Sequence, residues 1–409
     1  MERRRGEEGT GPDRPPCLEG ENLRTRLLYP LGVTRFLHTA DWQLGMTRHF
    51  LEGEAQARFT GARIEVIREI GQFAVEQGCS FAVVGGDVFE SNQVERQAIV
   101  RALDAMKATT SVTFYLLPGN HDPLDAASVF RSKTFLDHCP PNVVVLEDSR
   151  PVLIAPGLEI VGAPWPNKRP LNDLVAFATA DLSADGTQRI VVGHGAVDTM
   201  SPDPTNPSLI SVSDVEASIA GGRVHYVALG DRHSTTDIGT TGRIWYAGTP
   251  EPTDYDEIDP GNVLVVELDG DTVSVVPHRV ATWRFIHESF DLTGRADCEI
   301  VQSFLEAVPD KQRAIVKLSL VGQLSLGDMT WLEAQLGHAA DLLGALEMWE
   351  RRSDLVVLPD DDDFDGLGLS GFAAGALDDL REIGGGSGDD ALIARDALGL
   401  LYRLVVGAS

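Results

Sequence analysis

Five times in this chain an apolar run stops at small residues followed by side chains able to bind a metal ion. The first is Leu37-His38-Thr39-Ala40-Asp41-Trp42-Gln43-Leu44-Gly45. In order there follow Gly85-Gly86-Asp87, Gly119-Asn120-His121-Asp122, Gly193-His194 and Gly230-Asp231-Arg232-His233. A buried strand that ends in a carboxylate, an amide or an imidazole delivers that group to the rim of a sheet. A single Gly-Asn-His-Asp is usually just a turn. Five such endings in series restrict the chain to a fold that gathers its strand ends.

From Val33 onward, short apolar runs alternate with amphipathic stretches. A strand running to Ala40 precedes a helix carrying Ile64, Ile67, Ile70 and Phe73. A strand at Phe81–Val84 precedes a helix carrying Ile99, Leu103 and Met106, and Phe114–Leu117 reads as a third strand. This β-α-β-α-β order predicts a largely parallel sheet covered by helices. Further strands are expected at Val143–Leu146, Glu159–Gly162, Arg189–Val192, His225–Leu229, Ile244–Ala247 and Val263–Leu268. Few helical patterns separate these, so this half reads as more antiparallel. The fold class expected is α/β, with two packed β-sheets flanked by helices rather than one open sheet.

From about Trp283 the pattern restarts: strand Arg284–Phe290, helix Cys298–Ala307, strand Ala314–Leu320, helix Thr330–Leu343 and strand Leu346–Glu350. The division expected is therefore a disordered leader over 1–32, a main domain over 33–280 and a small α/β capping domain over 281–358. An acidic, Gly-rich linker over 359–371, containing Asp360–Asp363 and Asp365, leads to a helical segment over 372–409. In that segment Leu392, Ala397, Leu398, Leu401 and Leu404 form an apolar stripe too isolated to bury itself, which would pack back on the cap or dock on a partner.

The 43% hydrophobic content is that of a globular protein, and 409 residues allow a large domain and a smaller one. There is neither an apolar run of about 18 residues nor an apolar segment behind the first residues, so a cytoplasmic protein without membrane span or secretory signal is expected. Cys17, Cys79, Cys139 and Cys298 are scattered, which fits a reducing compartment and gives no zinc-knuckle spacing. The formal net charge of −28 argues against attraction of nucleic acid by the overall field. Much of that acid lies late in the chain, and site carboxylates would be neutralised by metal, so a local basic path remains compatible with it.

If the strand ends converge, one rim gathers Asp41, Gln43, Asp87, Asn120, His121, His194, Asp231 and His233. Burying such a cluster unpaired is costly, so the set implies cations. Mixed carboxylate, amide and imidazole donors suit manganese or iron, and the absence of cysteine argues against structural zinc. His38 and His225 sit inside apolar runs and read as satisfied core histidines. Trp42, Trp165 and Trp245 read as packing. Arg48, His49, Lys168 and Arg169 lie in loops where they could meet a phosphate backbone, with a solvated loop the equal alternative.

In order and content these motifs resemble the calcineurin-like metallophosphoesterases. Leu37–Trp42, Ala228-Leu229-Gly230 and Tyr246-Ala247-Gly248-Thr249-Pro250 resemble the SbcD-type DNA repair exonucleases within that group. The resemblance covers about Val33 to Val280 in motif detail and is only architectural beyond. It implies a four-layer sandwich holding two divalent ions, with Asp87 bridging, Asp41, Gln43 and His233 completing one site, and Asn120, His194 and Asp231 the other. It implies that His121 contacts the scissile phosphate and that Asp122 orients it. Metal-activated water would attack in line, the ions sitting about 3.5 to 4 Å apart. Gln43 and Asp231 stand where the family usually has histidine. These changes would shift preference toward manganese or magnesium, or weaken the site. The resemblance further implies DNA as substrate, an SbcC-type coiled-coil ATPase as partner, and a homodimer. A small nucleotide substrate and a catalytically decayed binding subunit are the alternatives.

Overall fold

The computed structural model describes residues 32–358 and 369–386, and residues 388, 390, 391, 393, 394, 397, 398, 400 and 401. The expected leader apart from Gly32, the acidic run Asp360–Asp365, and Cys17, Leu392 and Leu404 lie outside the described residues.

Two six-stranded sheets form the main body. The first has the order β12-β11-β1-β2-β3-β4, with β1 Thr34–Thr39, β2 Phe81–Val84, β3 Thr113–Leu116, β4 Val143–Val145, β11 Asn262–Asp269 and β12 Thr272–Arg279. Strands β1 to β4 are parallel, and the hairpin of β11 and β12 is added antiparallel to β1. The second has the order β5-β6-β7-β8-β10-β9, with β5 Val152–Ala155, β6 Leu158–Gly162, β7 Gln188–His194, β8 Tyr226–Gly230, β9 Thr236–Ile238 and β10 Ile244–Tyr246.

Alternation along β1 shows how the layers arise. Leu37 faces the helices α1 (Glu54–Glu76) and α2 (Arg96–Lys107), where Ile67, Ile70, Leu103 and Met106 cover it. Phe36 faces the other sheet, in a buried layer with Val83, Ile160, Ile190, Val192 and Tyr226. The short helices Leu174–Thr179 and Val212–Ala220 close the far side. The result is helix, sheet, sheet, helix.

The second sheet corrects one expectation. Its centre, β6, β7, β8 and β10, is parallel, and only the edge strands β5 and β9 run antiparallel. The crossovers depend on helices of 6 and 9 residues, too short to leave a strong 3.6-residue pattern.

A third, all-parallel sheet is built around β14 (Ala314–Ser325), with β13 (Arg284–Leu292) on one side and β15 (Ala345–Met348) and β16 (Asp354–Leu358) in succession on the other. Helices Arg295–Ala307 and Leu326–Leu342 pack on it through Cys298, Val301, Leu305, Leu332 and Ala339. Strand β16 was not among the sequence expectations.

The join between third sheet and main body is filled. Trp283 and Ile315 are enclosed with Met46, Leu51 and Phe59, and the rings of Trp283 and Phe59 meet edge to face at 5.2 Å. The buried carboxylate of Glu251 accepts from the backbone N–H groups of Thr282 and Trp283 and from the Thr282 hydroxyl, which fixes the chain where it crosses over.

Near the C-terminus, helix Phe372–Gly384 buries Leu377. Leu398 and Leu401 join Leu377 and Leu380 in one apolar cluster. The stripe is therefore less isolated than its sequence suggests, because the preceding helix covers part of it. Among the described residues no helix is long and apolar enough to cross a membrane.

Candidate metal centre

The parallel strands of both sheets end at one rim, and several of them end in a sharp change of backbone direction. Among the described residues six non-glycine positions have positive φ. Four of them are Asp41 (54°), Gln43 (44°), Asp87 (50°) and Asp231 (99°), all immediately past β1, β2 or β8. This costs conformational energy, and its concentration at the rim makes the rim the candidate functional site. Two glycines allow close approach there, Gly230 between the two sheets and Gly119 between the neighbouring ends of β2 and β3. A Cβ on Gly230 would lie 1.9 Å from the Gly85 carbonyl oxygen, and one on Gly119 would lie 2.3 Å from Asp87 Oδ1.

The buried core of the rim consists of Asp41, Asp87 and His194, whose ligand atoms lie within 4.8 Å of one another. His194 Nε2 is 3.4 Å from Asp87 Oδ1 and 3.8 Å from Asp231 Oδ1. His194 Nδ1 is 2.8 Å from the Gly85 carbonyl, which can only accept, so that nitrogen carries hydrogen and Nε2 points into the cluster. The Trp165 indole donates to the His194 carbonyl at 2.7 Å, so Trp165 holds the strand end as well as packing.

Asn120 Oδ1 lies 2.6 Å from His194 Nε2, an oxygen aimed into a group of acceptors. With the amide turned over, its nitrogen donates to both Asp87 oxygens at 3.2 Å and to His194 at 2.6 Å. A cation or a proton is needed to keep the oxygen inward.

Gln43 Nε2 is 3.1 Å from His233 Nε2. His233 Nδ1 lies 2.7 Å from Thr253 Oγ1 and 2.9 Å from Glu257 Oε1. Asp231 N donates to Asp41 Oδ1, while among the described residues the buried Asp41 Oδ2 and Gln43 Oε1 have no hydrogen-bond partner. Two buried oxygens without hydrogen-bond partners, beside crowded carboxylates, fit a divalent cation.

Electrostatics agree. Burial, reinforced by the charge of Asp87, raises the Asp41 carboxyl to about 6 despite His233 and His194. Burial also raises Asp231, against the pull of His194. Burial would lower His194, but Asp87, Asp231 and Asp41 outweigh it and bring the imidazole to about 9. For His233, burial is outweighed by the Glu257 hydrogen bond and by Asp41, and the pKa rises. Without a metal the cluster holds protons in its place.

His121 stands at the edge of the cluster. Its N–H donates to Asp87 Oδ1 at 2.9 Å, its Nδ1 meets the Glu90 carbonyl at 2.9 Å, and its Nε2 is 4.0 Å from Asp87 Oδ2. The ring is thus oriented by Glu90. Asp122 instead accepts from Gly119 N and Phe89 N and fixes the loop. Burial and the nearby Asp87 raise its carboxyl to about 7.

A cleft of about 490 Å³ opens over His121, Asp231 and His233 and is bordered by Arg48 and Arg232. Arg48 also donates to the Thr253 carbonyl. His49 is exposed beside Phe50. Lys168 and Arg169 are exposed in the loop after β6 and do not line the cleft. His38, buried, bonds Tyr226 Oη and the Leu229 carbonyl, and His225 accepts from Arg189 N, both as structural groups. Sequence reasoning passed over Thr253, Glu257 and Glu90. For Thr253 and Glu257 the available signal is the acid-rich Asp254-Tyr255-Asp256-Glu257, three residues past Gly248-Thr249-Pro250.

The profile of the calcineurin-like phosphoesterase family matches residues 34–234, which contain Asp41, Gln43, Asp87, Asn120, His121, His194, Asp231 and His233. Those residues form a calcineurin-like metallophosphoesterase domain. The phosphoesterase domain thereby joins a metal-dependent hydrolase family, in keeping with its clustered Asp41, Asp87 and His194. The chain is 29% identical over 93 residues to the D component of the SbcCD nuclease of Rhodobacter capsulatus, a match spanning 22% of each protein. TT1561 of Thermus thermophilus aligns with 60% of this chain and 99% of its own, at TM-score 0.39 and 9% identity. A dimetal phosphatase from Danio rerio aligns with 60% of this chain and 98% of its own, at TM-score 0.35 and 12% identity. The purple acid phosphatase PPD1 of yellow lupin (Lupinus luteus) seeds covers 61% and 52%, at TM-score 0.35 and 12% identity.

Proposed function

We propose that the chain is a two-metal phosphodiesterase that cuts DNA ends or single strands, as the nuclease subunit of a complex with an SbcC-type coiled-coil ATPase. The observation that carries the metal chemistry is the buried cluster of Asp41, Asp87 and His194 beside the orphaned oxygens of Asp41 and Gln43. The DNA substrate and the partner rest on likeness to one component of a nuclease over 93 residues.

Asp87 would be shared, with Asp41, Gln43 and His233 on one side and Asn120, His194 and Asp231 on the other. Manganese suits this donor set best, with magnesium or iron as alternatives. When bound, two divalent ions supply the Lewis acidity that activates water and polarises the phosphodiester. His121, held by the Glu90 carbonyl and open to the cleft, meets the phosphate and assists the leaving oxygen. Asp122 supports it through the loop backbone. Arg48, with His49, guides the strand at the cleft, and Lys168 and Arg169 meet the backbone farther out. Residues 33–280 act as the nuclease domain, 281–358 as a cap, and 372–409 as the segment that docks on the ATPase.

The test is cleavage of end-labelled single- and double-stranded DNA, with and without manganese, by wild type and by His121→Ala, alongside a phosphodiester dye. Metal-dependent DNA cutting that the variant loses supports the reading. Dye hydrolysis without DNA cutting overturns the substrate, and inactivity on both without bound metal overturns the enzyme.

A further inference from the structure

The loop Thr253–Glu257 approaches the metal centre from outside the strand ends and bears on one atom of it, His233 Nδ1. Both groups that meet this nitrogen are acceptors. Glu257 presents Oε1 at 2.9 Å from a side chain only 6% exposed, and Thr253 presents Oγ1 at 2.7 Å. The Thr253 hydroxyl hydrogen is already given to Glu257 Oε1, so that oxygen has only lone pairs left for the ring. The Thr253 N–H also donates to Glu257, at 2.9 Å to Oε2, which locks the carboxylate across the loop. Nδ1 must therefore carry hydrogen, and in the neutral ring Nε2 is left as a bare lone pair facing Gln43.

The loop is itself held from the third sheet. Tyr255, between Thr253 and Glu257, donates its hydroxyl to Glu347 Oε2 at 2.8 Å, packs edge to face on Phe285 at 5.1 Å, and lies under Lys317 Nζ at 4.8 Å.

We propose that Glu257, assisted by Thr253, is a positioning residue that fixes His233 in the Nδ1–H tautomer and so presents Nε2 to a divalent ion. Tyr255 makes the third sheet part of this support. The inference deepens the two-metal reading and rests on it for the ion. A carboxylate behind a ligating imidazole fixes ring orientation and raises donor strength, and its loss typically costs about 10- to 100-fold in metal affinity.

The experiment uses the full chain with ¹⁵N-labelled histidine, metal-free and in alkaline buffer, where imidazoles are neutral. Long-range ¹⁵N–¹H spectra of wild type should place the His233 hydrogen on Nδ1, the resonance being assigned by its loss in His233→Gln. Glu257→Ala should give a mixture of tautomers, and Glu257→Gln, which keeps an acceptor oxygen, should largely restore the wild-type one. Calorimetric titration with manganese should show affinity lowered about 10-fold or more in Glu257→Ala and less in Glu257→Gln. Tyr255→Phe should fall between wild type and Glu257→Ala. A wild-type hydrogen on Nε2, or a Glu257→Ala protein with unchanged tautomer and affinity, overturns the proposal. If wild type binds no manganese, the two-metal reading fails, while the tautomer spectra still decide the role of Glu257.

Discussion

The amide nitrogen of Gln43 donates to Nε2 of His233 across 3.1 Å, a side-chain bond between strand ends of the two sheets, and Gln43 Oε1 is left buried without a hydrogen-bond partner among the described residues. A half-turn of the amide would exchange the donor for that oxygen. Under the proposed two-metal reading, Gln43 would hold the place of a cation and, once turned, offer a weak neutral ligand. The backbone there, at φ 44°, suits histidine as well as glutamine. Gln43→His should therefore fold normally and tighten zinc relative to manganese by about 10-fold, because imidazole favours the later metal. Competition titration checks this, and an unchanged ratio would remove Gln43 from the ligand set.

Acidity gives a second prediction. His194 is raised to about 9 from an ordinary 6.5, so its contribution to the stability of the metal-free protein is complete below 6.5 and fades as pH rises through 9. Asp41 is raised to about 6, so its contribution also fades with rising pH, between 3.8 and 6. Both folded-state groups hold protons that the unfolded chain has released, so their contribution to stability falls as pH increases. In chelator, the melting temperature should drop from pH 6 to pH 9. Manganese should stabilise more at pH 9, where it displaces fewer protons. His194→Gln should flatten the chelator profile, and an equally steep slope in that variant would assign the effect elsewhere.

Gly86 offers a test of the rim's geometry. Its φ is 96°, and a Cβ there would lie 2.2 Å from His194 Nδ1. Gly86→Ala should displace the imidazole from the Gly85 carbonyl, cost about 1–3 kcal/mol of stability, and reduce bound metal. Chemical denaturation and metal analysis of the purified variant measure the two effects, and full metal occupancy would show that the rim tolerates a larger shift than its contacts suggest.

The C-terminal cluster of Leu377, Leu380, Leu398 and Leu401 gives a fourth. Leu398→Asp with Leu401→Asp should make the segment after Phe372 sensitive to limited proteolysis and abolish co-purification with a coiled-coil ATPase, with manganese binding unchanged. Retained co-purification would place the docking surface elsewhere.

Much of the rim is legible in sequence because a strand buried on both faces leaves an unbroken apolar run, and its end shows as the first polar residue. Phe81–Val84 before Gly85-Gly86-Asp87 is the clearest case. Helix α1 is legible through Ile64, Ile67, Ile70 and Phe73, spaced over its 23 residues. The direction of the second sheet is not, since Leu174–Thr179 makes fewer than two turns and leaves no period to read. Nor is the Glu90 carbonyl behind His121, because backbone atoms carry no sequence signature. Glu257 stands 24 residues from His233, and only the return of the chain after β10 brings them together.

Trp283 and Ile315 lie beyond the residues that match the phosphoesterase family, yet they complete the enclosure of Met46, which sits three residues after Gln43. A cut near residue 280 would leave Phe59 facing water and loosen the turn that carries Gln43. The enclosure of Met46 thus reaches past the residues that match the family and into β14, and a clone ending at residue 234 would lack both Trp283 and Ile315.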